Sequence, residues 1–259
     1  MRKLGPRYAY IVTGKQDRFL GLNFICTLVG RAVASLICIA GFPLHLTICA
    51  VIKLNDGGAA LHRCYRTGWS GIPFELLKYR SMKPDAEHLL TLDLKMIVHE
   101  GDERLTMIGP WLRCGIDELP QLWNIAKGEM AWIGPRPDPD WMEPHYGPTC
   151  RERLNVRPGI TGFAQILNSR YLSSAEGFAL DVWYLSHRTI WLDLSIIAMT
   201  PLFMAGWLSV CQRRLRSLRQ NPEFKDLCRK CEQECSILKK ILLTSSEFQA
   251  ALPPNTVVC

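Results

Sequence analysis

A proline inside an otherwise apolar stretch constrains this chain more than any other single feature. From Phe19 to Ile52 the sequence is apolar apart from Asn23, Arg31, Ser35, His45 and Thr47. Its strongest part, Val33 to Ile52, is long enough to cross a bilayer as one helix. Pro43 sits near the middle of that part, where it removes a helix hydrogen bond and kinks or breaks the rod. Basic residues flank both ends: Arg7, Lys15, Arg18 and Arg31 before it, Lys53, Arg63, Arg66, Lys78 and Arg80 after it. Cationic flanks favour the cytoplasmic side, and a single span satisfies only one of the two, whereas a hairpin entering and leaving by one leaflet satisfies both. The sequence therefore predicts a re-entrant helix hairpin over 19–52, with a single span as the alternative, preceded by a basic arm over 1–18.

Charge and apolarity narrow the partners. A formal charge of +7 with 48% hydrophobic residues suits an anionic membrane surface or an anionic substrate. The Arg and Lys residues are scattered and form no recognised binding motif, which argues against nucleic acid. Eleven cysteines is a high, odd count, several lie in apolar sequence (Cys26, Cys38, Cys49), and no cleavable signal peptide precedes them, so reduced thiols are expected.

The chemistry is expected at Ile116-Asp117-Glu118-Leu119-Pro120-Gln121-Leu122-Trp123-Asn124. Asp117 is placed to cap a helix whose first turn tolerates Pro120. Leu119, Leu122, Trp123 and Ala126 fall at helical spacing as a buried stripe, and Lys127-Gly128 suits the helix end. The field of a helix start would keep Asp117 ionised and draw in a phosphate. Simple capping by acidic residues is the competing account. The loop Gly134-Pro135-Arg136-Pro137 follows.

Elsewhere, Asn55-Asp56-Gly57-Gly58 and Arg66 to Gly71 read as turns, and Phe74 to Met82 as an extended segment carrying Lys78 and Arg80. Residues 85–99 read as a Leu-rich surface helix. Arg113, Arg136 and Arg157 each approach turns, where planar guanidinium groups suit phosphate as readily as a local carboxylate. Ile190 to Val210 is apolar but holds Asp193, Trp191 and Trp207, as expected of a helix lying in an interface. Beyond it, Arg213, Arg214, Arg216 and Arg219 make a basic helix face suited to anionic lipid. Cys228, Cys231 and Cys235 are spaced for a metal but want a fourth ligand, so plain thiols are expected.

The ordered set of these segments resembles the bacterial sugar transferase family, the monotopic polyprenyl-phosphate phosphoglycosyl transferases, from about Arg18 to Thr200. The residues carrying the resemblance are the proline-broken apolar segment, Arg66-Thr67-Gly68 with Gly71 and Phe74, and Lys78-Tyr79-Arg80-Ser81-Met82. They continue through Arg104-Leu105-Thr106 with Gly109 and Arg113, Asp117 to Asn124, Gly128-Glu129-Met130 and Gly134-Pro135-Arg136-Pro137. Arg157 to Gly162 with Gln165, and Asp181 to Tyr184 with Trp191 and Asp193, complete it.

The resemblance implies an α+β, mostly helical fold: a re-entrant membrane hairpin over 19–52, a cytoplasmic catalytic domain over 53–210, interfacial amphipathic helices and a basic, Cys-containing extension over 211–259. It implies transfer of a sugar-1-phosphate from a UDP-sugar to polyprenyl (undecaprenyl) phosphate with release of UMP. This would be the first membrane step of polysaccharide or glycoconjugate synthesis at the bacterial inner membrane. Asp117 would be the nucleophile and Glu118 the Mg²⁺ ligand; Lys78, Arg80, Arg113, Arg136 and Arg157 would contact substrate or phosphate. Anionic lipids are expected neighbours, and an oligomer is compatible with the sequence. The chain departs from the family pattern at Phe42, where a small polar residue is usual before the hairpin proline, at Asp56-Gly57-Gly58-Ala59, and at Cys64, where Gln is usual. Two other readings compete: a glycosyltransferase using Asp138-Pro139-Asp140 as a metal pair, and a non-enzymatic membrane platform for polysaccharide assembly.

Overall fold

The apolar segment forms two helices. The computed structural model describes residues 20–83, 86, 88–90, 102–167, 172–206, 208–244 and 256–258; the basic arm over 1–18 lies outside them. Helix α1 (Leu20–Ala40) ends before Gly41, and α2 (Phe42–Asp56) begins with Pro43 in its first turn. A proline is tolerated there because its missing N–H has no helical partner, but it cannot extend the preceding helix. The apolar stretches Thr27–Ala40 and Phe42–Asp56 meet at 61°. Among the described residues no single helix is long and apolar enough to cross a membrane.

Helix α2 ends at Gly57, which takes the left-handed conformation (φ 72°), and the chain turns into an antiparallel hairpin of β1 (Leu61–Thr67) and β2 (Pro73–Tyr79). Its register sets His62 opposite Lys78 and Thr67 opposite Pro73. Strand β3 (His88–Leu90) pairs in parallel with β6 (Thr256–Val258). This corrects at 88–90 the helix expected over 85–99, of which residues 85, 87 and 91–99 lie outside the described residues. The partner strand is 168 positions away in sequence, so no local pattern announces it.

Next come α3 (Gly109–Leu112), α4 (Gln121–Lys127) and β4 (Ala131–Ile133), which pairs in parallel with β5 (Gly159–Thr161). The short helices α5 (Pro148–Arg151) and α6 (Phe163–Ile166) lead into α7 (Ser174–Ser186) and α8 (Ile190–Met204). Helices α9 (Leu208–Gln220) and α10 (Pro222–Thr244) close the helical part. The mostly helical α+β class expected from the sequence is what forms.

Three apolar clusters hold these elements together. The largest joins α5, α6 and α7 with Leu192 and Ile196 of α8, Leu215 and Leu218 of α9, and Phe224, Cys231 and Cys235 of α10. The second seats Ala34 of α1 against Phe74 and Leu76 of β2 and Leu122 and Ile125 of α4. The third seats Ile52 of α2 against Tyr79 and Leu112. Helix α8 buries only Leu192 and Ile196 and exposes Ile190, Trp191, Leu194 and Ile197. On α9 the expected basic face is divided. Arg219 pairs with Glu176 at 2.6 Å and Arg214 lies over the Phe163 ring, while Arg213 and Arg216 face outward.

Candidate active site

Asp117 and Glu118 sit on a 3₁₀ turn, Ile116–Glu118, opened by Gly115 in the left-handed region (φ 106°). The turn precedes α4, whose N-cap is Pro120 without any side-chain cap. The capping role expected for Asp117 is therefore corrected: Pro120, with its fixed φ and no N–H to satisfy, starts the helix unaided. The buried stripe is rotated as well. Leu122, Ile125, Gln121 and Asn124 are buried, while Leu119 and Trp123 are 40% and 51% exposed.

Asn124 explains the rotation. Its fully buried side chain accepts the Leu77 N–H (3.1 Å) and donates to the Glu75 carbonyl (2.7 Å), occupying the free edge of β2 as a neighbouring strand would. Its amide also donates to Glu129 at 2.7 Å. With this face turned inward, Leu119 and Trp123 are left outside, and Ile116 and Trp111 earlier in the chain are exposed as well. Gly128 ends α4 in the left-handed conformation, as expected.

Docking α4 on β2 brings the acidic turn against Lys78. Burial raises the Asp117 carboxyl above the ordinary carboxylate range, helped by Glu118 next to it and opposed by Lys78, Arg113 and Arg136. Burial lowers Lys78, with Arg66 and Arg136 nearby and Asp117 opposing. Arg136, from the loop after β4, donates to Glu118 Oε1 at 2.9 Å while remaining more than half exposed. Arg113 reaches the Ser81 hydroxyl at 3.4 Å. Thus Lys78, Arg113 and Arg136 meet the carboxylate pair, drawn from three separate segments.

The other two cations do not. Arg80 is buried, donates to both carboxylate oxygens of Asp56 and, at 2.6 Å, to the Ala59 carbonyl, clamping the end of α2 to the end of β2. Arg157 donates to the Gly128 carbonyl at 2.9 Å and stacks over Trp69. The resemblance implies anion contacts for both; here both bond to protein groups, Arg80 because a buried guanidinium needs local acceptors and Arg157, half-buried, at a helix end. Arg31 joins Arg157 at the same helix end, donating to the Ala126 carbonyl at 3.0 Å, and the Trp132 indole N–H donates to Gly30 at 2.9 Å. Cations suit that end of a helix.

Sequence reasoning missed Arg66 and His62, on the face of the hairpin that carries Lys78. Burial, with Lys78 and Arg66 nearby, pushes His62 down to about 4, so it adds no charge at neutral pH. No local signal marks them: it is the hairpin register that sets His62 opposite Lys78. Asp138 is found in a second cluster: Arg153 and the Tyr146 hydroxyl both donate to its carboxylate, and Arg153 also donates to Asp181 at 2.8 Å. A carboxylate so occupied is poorly placed to serve as half of a metal pair.

Among the described residues no group of three or more His, Cys, Asp or Glu side chains is arranged to hold a metal, although Cys150 approaches Cys231 and Cys235 in the core. The adjacent Asp117 and Glu118 fit Mg²⁺ better than a closed structural metal, since that ion takes one or two carboxylates and fills its other positions with phosphate and water.

Residues 22–206 match the family described as bacterial sugar transferase. The chain belongs to that family. It is 37% identical over 170 residues to the uncharacterized sugar transferase EpsL of Bacillus subtilis (strain 168), covering 65% of this chain and 81% of EpsL. It is 35% identical over 181 residues to the galactosyl transferase CpsE of Streptococcus agalactiae serotype III (strain NEM316), covering 62% and 40%. Identity is 36% over 172 residues, covering 61% of each chain, to a UDP-glucose:undecaprenyl-phosphate glucose-1-phosphate transferase of Caulobacter vibrioides (strain ATCC 19089 / CIP 103742 / CB 15). The chain therefore spans less than two thirds of the length of two of these family members. The matched region contains every residue of the Asp117 cluster and stops before α9.

Proposed function

We propose that this chain transfers a sugar-1-phosphate from a UDP-sugar to polyprenyl phosphate at the cytoplasmic face of the bacterial inner membrane. The observation that carries the reading is the convergence of Lys78, Arg113 and Arg136 on the Asp117–Glu118 turn. The name of the Caulobacter relative supports the donor and acceptor classes.

In the first step a carboxylate oxygen of Asp117 attacks the sugar-bearing phosphorus of the donor. The bond from that phosphorus to the bridging oxygen breaks, and UMP leaves with the oxygen. In the second step a phosphate oxygen of the polyprenyl phosphate attacks the same phosphorus. The Asp117–phosphorus bond breaks, the carboxylate is regenerated and the lipid carries a diphosphosugar. A buried carboxylate beside Glu118 is more basic than an ordinary one, hence a better nucleophile once ionised, and three cations keep the ionised form within reach. Lys78 and Arg113 hold the phosphate charge next to Asp117, while Arg136 exchanges Glu118 for the donor diphosphate. Glu118 would hold Mg²⁺, which when bound neutralises charge on that diphosphate.

The bent pair α1–α2 serves as a re-entrant anchor. Both legs are tied to the same body, α1 through Arg31 and Trp132 and α2 through Arg80 and Asp56, and the tips expose Leu36, Ile39, Phe42 and Leu44. A site beside such an anchor meets a lipid phosphate without extracting its tail.

A panel of UDP-sugars with undecaprenyl phosphate and Mg²⁺, following UMP, tests the activity and names the sugar. Donor alone, labelled at the sugar-side phosphate, should leave the label on Asp117. Label settling on another residue, or product formed with none bound, would overturn the mechanism. Cysteine labelling of the two hairpin flanks should find both on the cytoplasmic side; opposite sides would restore a single span.

A further inference from the structure

Helix α10, beyond the family match, reaches back to α5, which precedes the arginine that holds the Arg136 loop. Glu234 of α10 accepts the Thr149 N–H at 2.9 Å and the Cys150 N–H at 2.8 Å, one with each carboxylate oxygen. These are N–H groups of the first turn of α5, which have no partner within the helix. Gly147, just before α5, shows how close the fit is. Its backbone (φ −69°, ψ 169°) is open to any residue. A Cβ there, however, would stand 2.4 Å from the Glu234 side chain. An alanine there would push the Glu234 carboxylate off the two N–H groups, while the turn itself would accept it.

Two residues beyond α5 comes Arg153, which is 5% exposed. Besides holding Asp138 and Asp181, it donates to the Arg136 backbone carbonyl at 2.7 Å. The Arg136 side chain in turn meets Glu118. A continuous set of charge-assisted hydrogen bonds and one short helix thus runs from the C-terminal extension to the catalytic turn.

We propose that Glu234 is a positioning residue: by fixing α5 it sets Arg153, and Arg153 sets the Gly134–Asp138 loop from which Arg136 reaches the donor diphosphate. The role deepens the transferase reading above and rests on it. A group that only keeps the chain folded would, when removed, lower the active fraction and so kcat, leaving KM unchanged. A group that places Arg136 for ground-state binding changes KM for the donor with kcat kept.

The test uses the full-length protein in membranes with the UDP-sugar that the wild type accepts, comparing E234Q, G147A and, as a control on the exposed side of α10, E232Q. E234Q and G147A should each raise the donor KM about five-fold or more, as expected for charge-assisted hydrogen bonds, with kcat within about two-fold; E232Q should match wild type. Unchanged KM in E234Q, with or without a fall in kcat, overturns the proposal. Hydrogen exchange of the Gly134, Arg136 and Asp138 amides, and of the Thr67 amide that bonds to the Asp138 carbonyl, supplies a readout independent of turnover. It should accelerate in E234Q relative to wild type, and an unchanged loop overturns the proposal even if no UDP-sugar is accepted. A wild type that accepts no donor while its loop loosens in E234Q would sink only the transferase reading.

Discussion

Two clusters of acid and base lie close together here and behave in opposite ways. Around Arg153, two carboxylates, a tyrosine hydroxyl and a backbone carbonyl share one buried guanidinium, so the acceptors of Asp138 and Asp181 are committed to protein donors. Around Asp117 the balance is inverted. Three cations from three segments surround a carboxylate pair, and the observed hydrogen bond, Arg136 to Glu118, is more than half exposed on the arginine side. A closed cluster fixes backbone; an open one has charge to spend on a ligand. The same residue types therefore give a strut in one place and a site in the other.

The sharpest way to break that contrast is to neutralise one carboxylate in each cluster. D117N should reduce UMP release by about a thousand-fold or more, as loss of a nucleophile does, while D138N should cost less than about ten-fold. Comparable losses in both would erase the distinction. Next in size is R153M, which strands two carboxylates in the interior and should destabilise the protein by about 3–5 kcal/mol, read by chemical or thermal unfolding. R80M probes the clamp between α2 and β2. Because Asp56 is partly solvated, about 2 kcal/mol of stability should be lost, with the donor KM unchanged. A raised KM would return Arg80 to the site.

The smallest effect is a displaced pH profile. The working form of Asp117 is the carboxylate, so turnover falls as pH drops through its pKa. Burial and Glu118 have lifted that value, which places the acid limb of kcat/KM above the ordinary carboxylate range. K78M removes a charge that holds the value down, so the limb should move to higher pH. A limb that stays in place would take Lys78 out of the cluster.

Much of the site was legible beforehand because it rests on local chemistry. Asp117 and Glu118 are neighbours in the chain, so no fold could separate them. Lys78 lies in a segment that reads as extended between turns, and it forms part of β2. Arg80, two residues further on, was indistinguishable from it by sequence, yet the strand ends at Tyr79 and Arg80 turns to Asp56. Arg157 was ambiguous for a similar reason: a basic residue beside a turn suits phosphate and a helix end equally well, and here it bonds to the helix end. The rotation of α4 was hidden because Asn124, a polar residue, claims the interior by bonding to a strand edge 47 positions earlier.

The amino-acid sequence alone determined the break at Pro43, the turns at Gly57 and Gly128, and the adjacent carboxylates, since proline geometry, glycine freedom and covalent adjacency act within a few residues. Tertiary structure alone decided which arginines face Asp117, that Asp138 is consumed by Arg153, and that α10 reaches back to α5. All arginines carry the same charge and reach. What separates a clamp from a site cation is the acceptor that packing brings within 3 Å, and packing is a property of the whole chain.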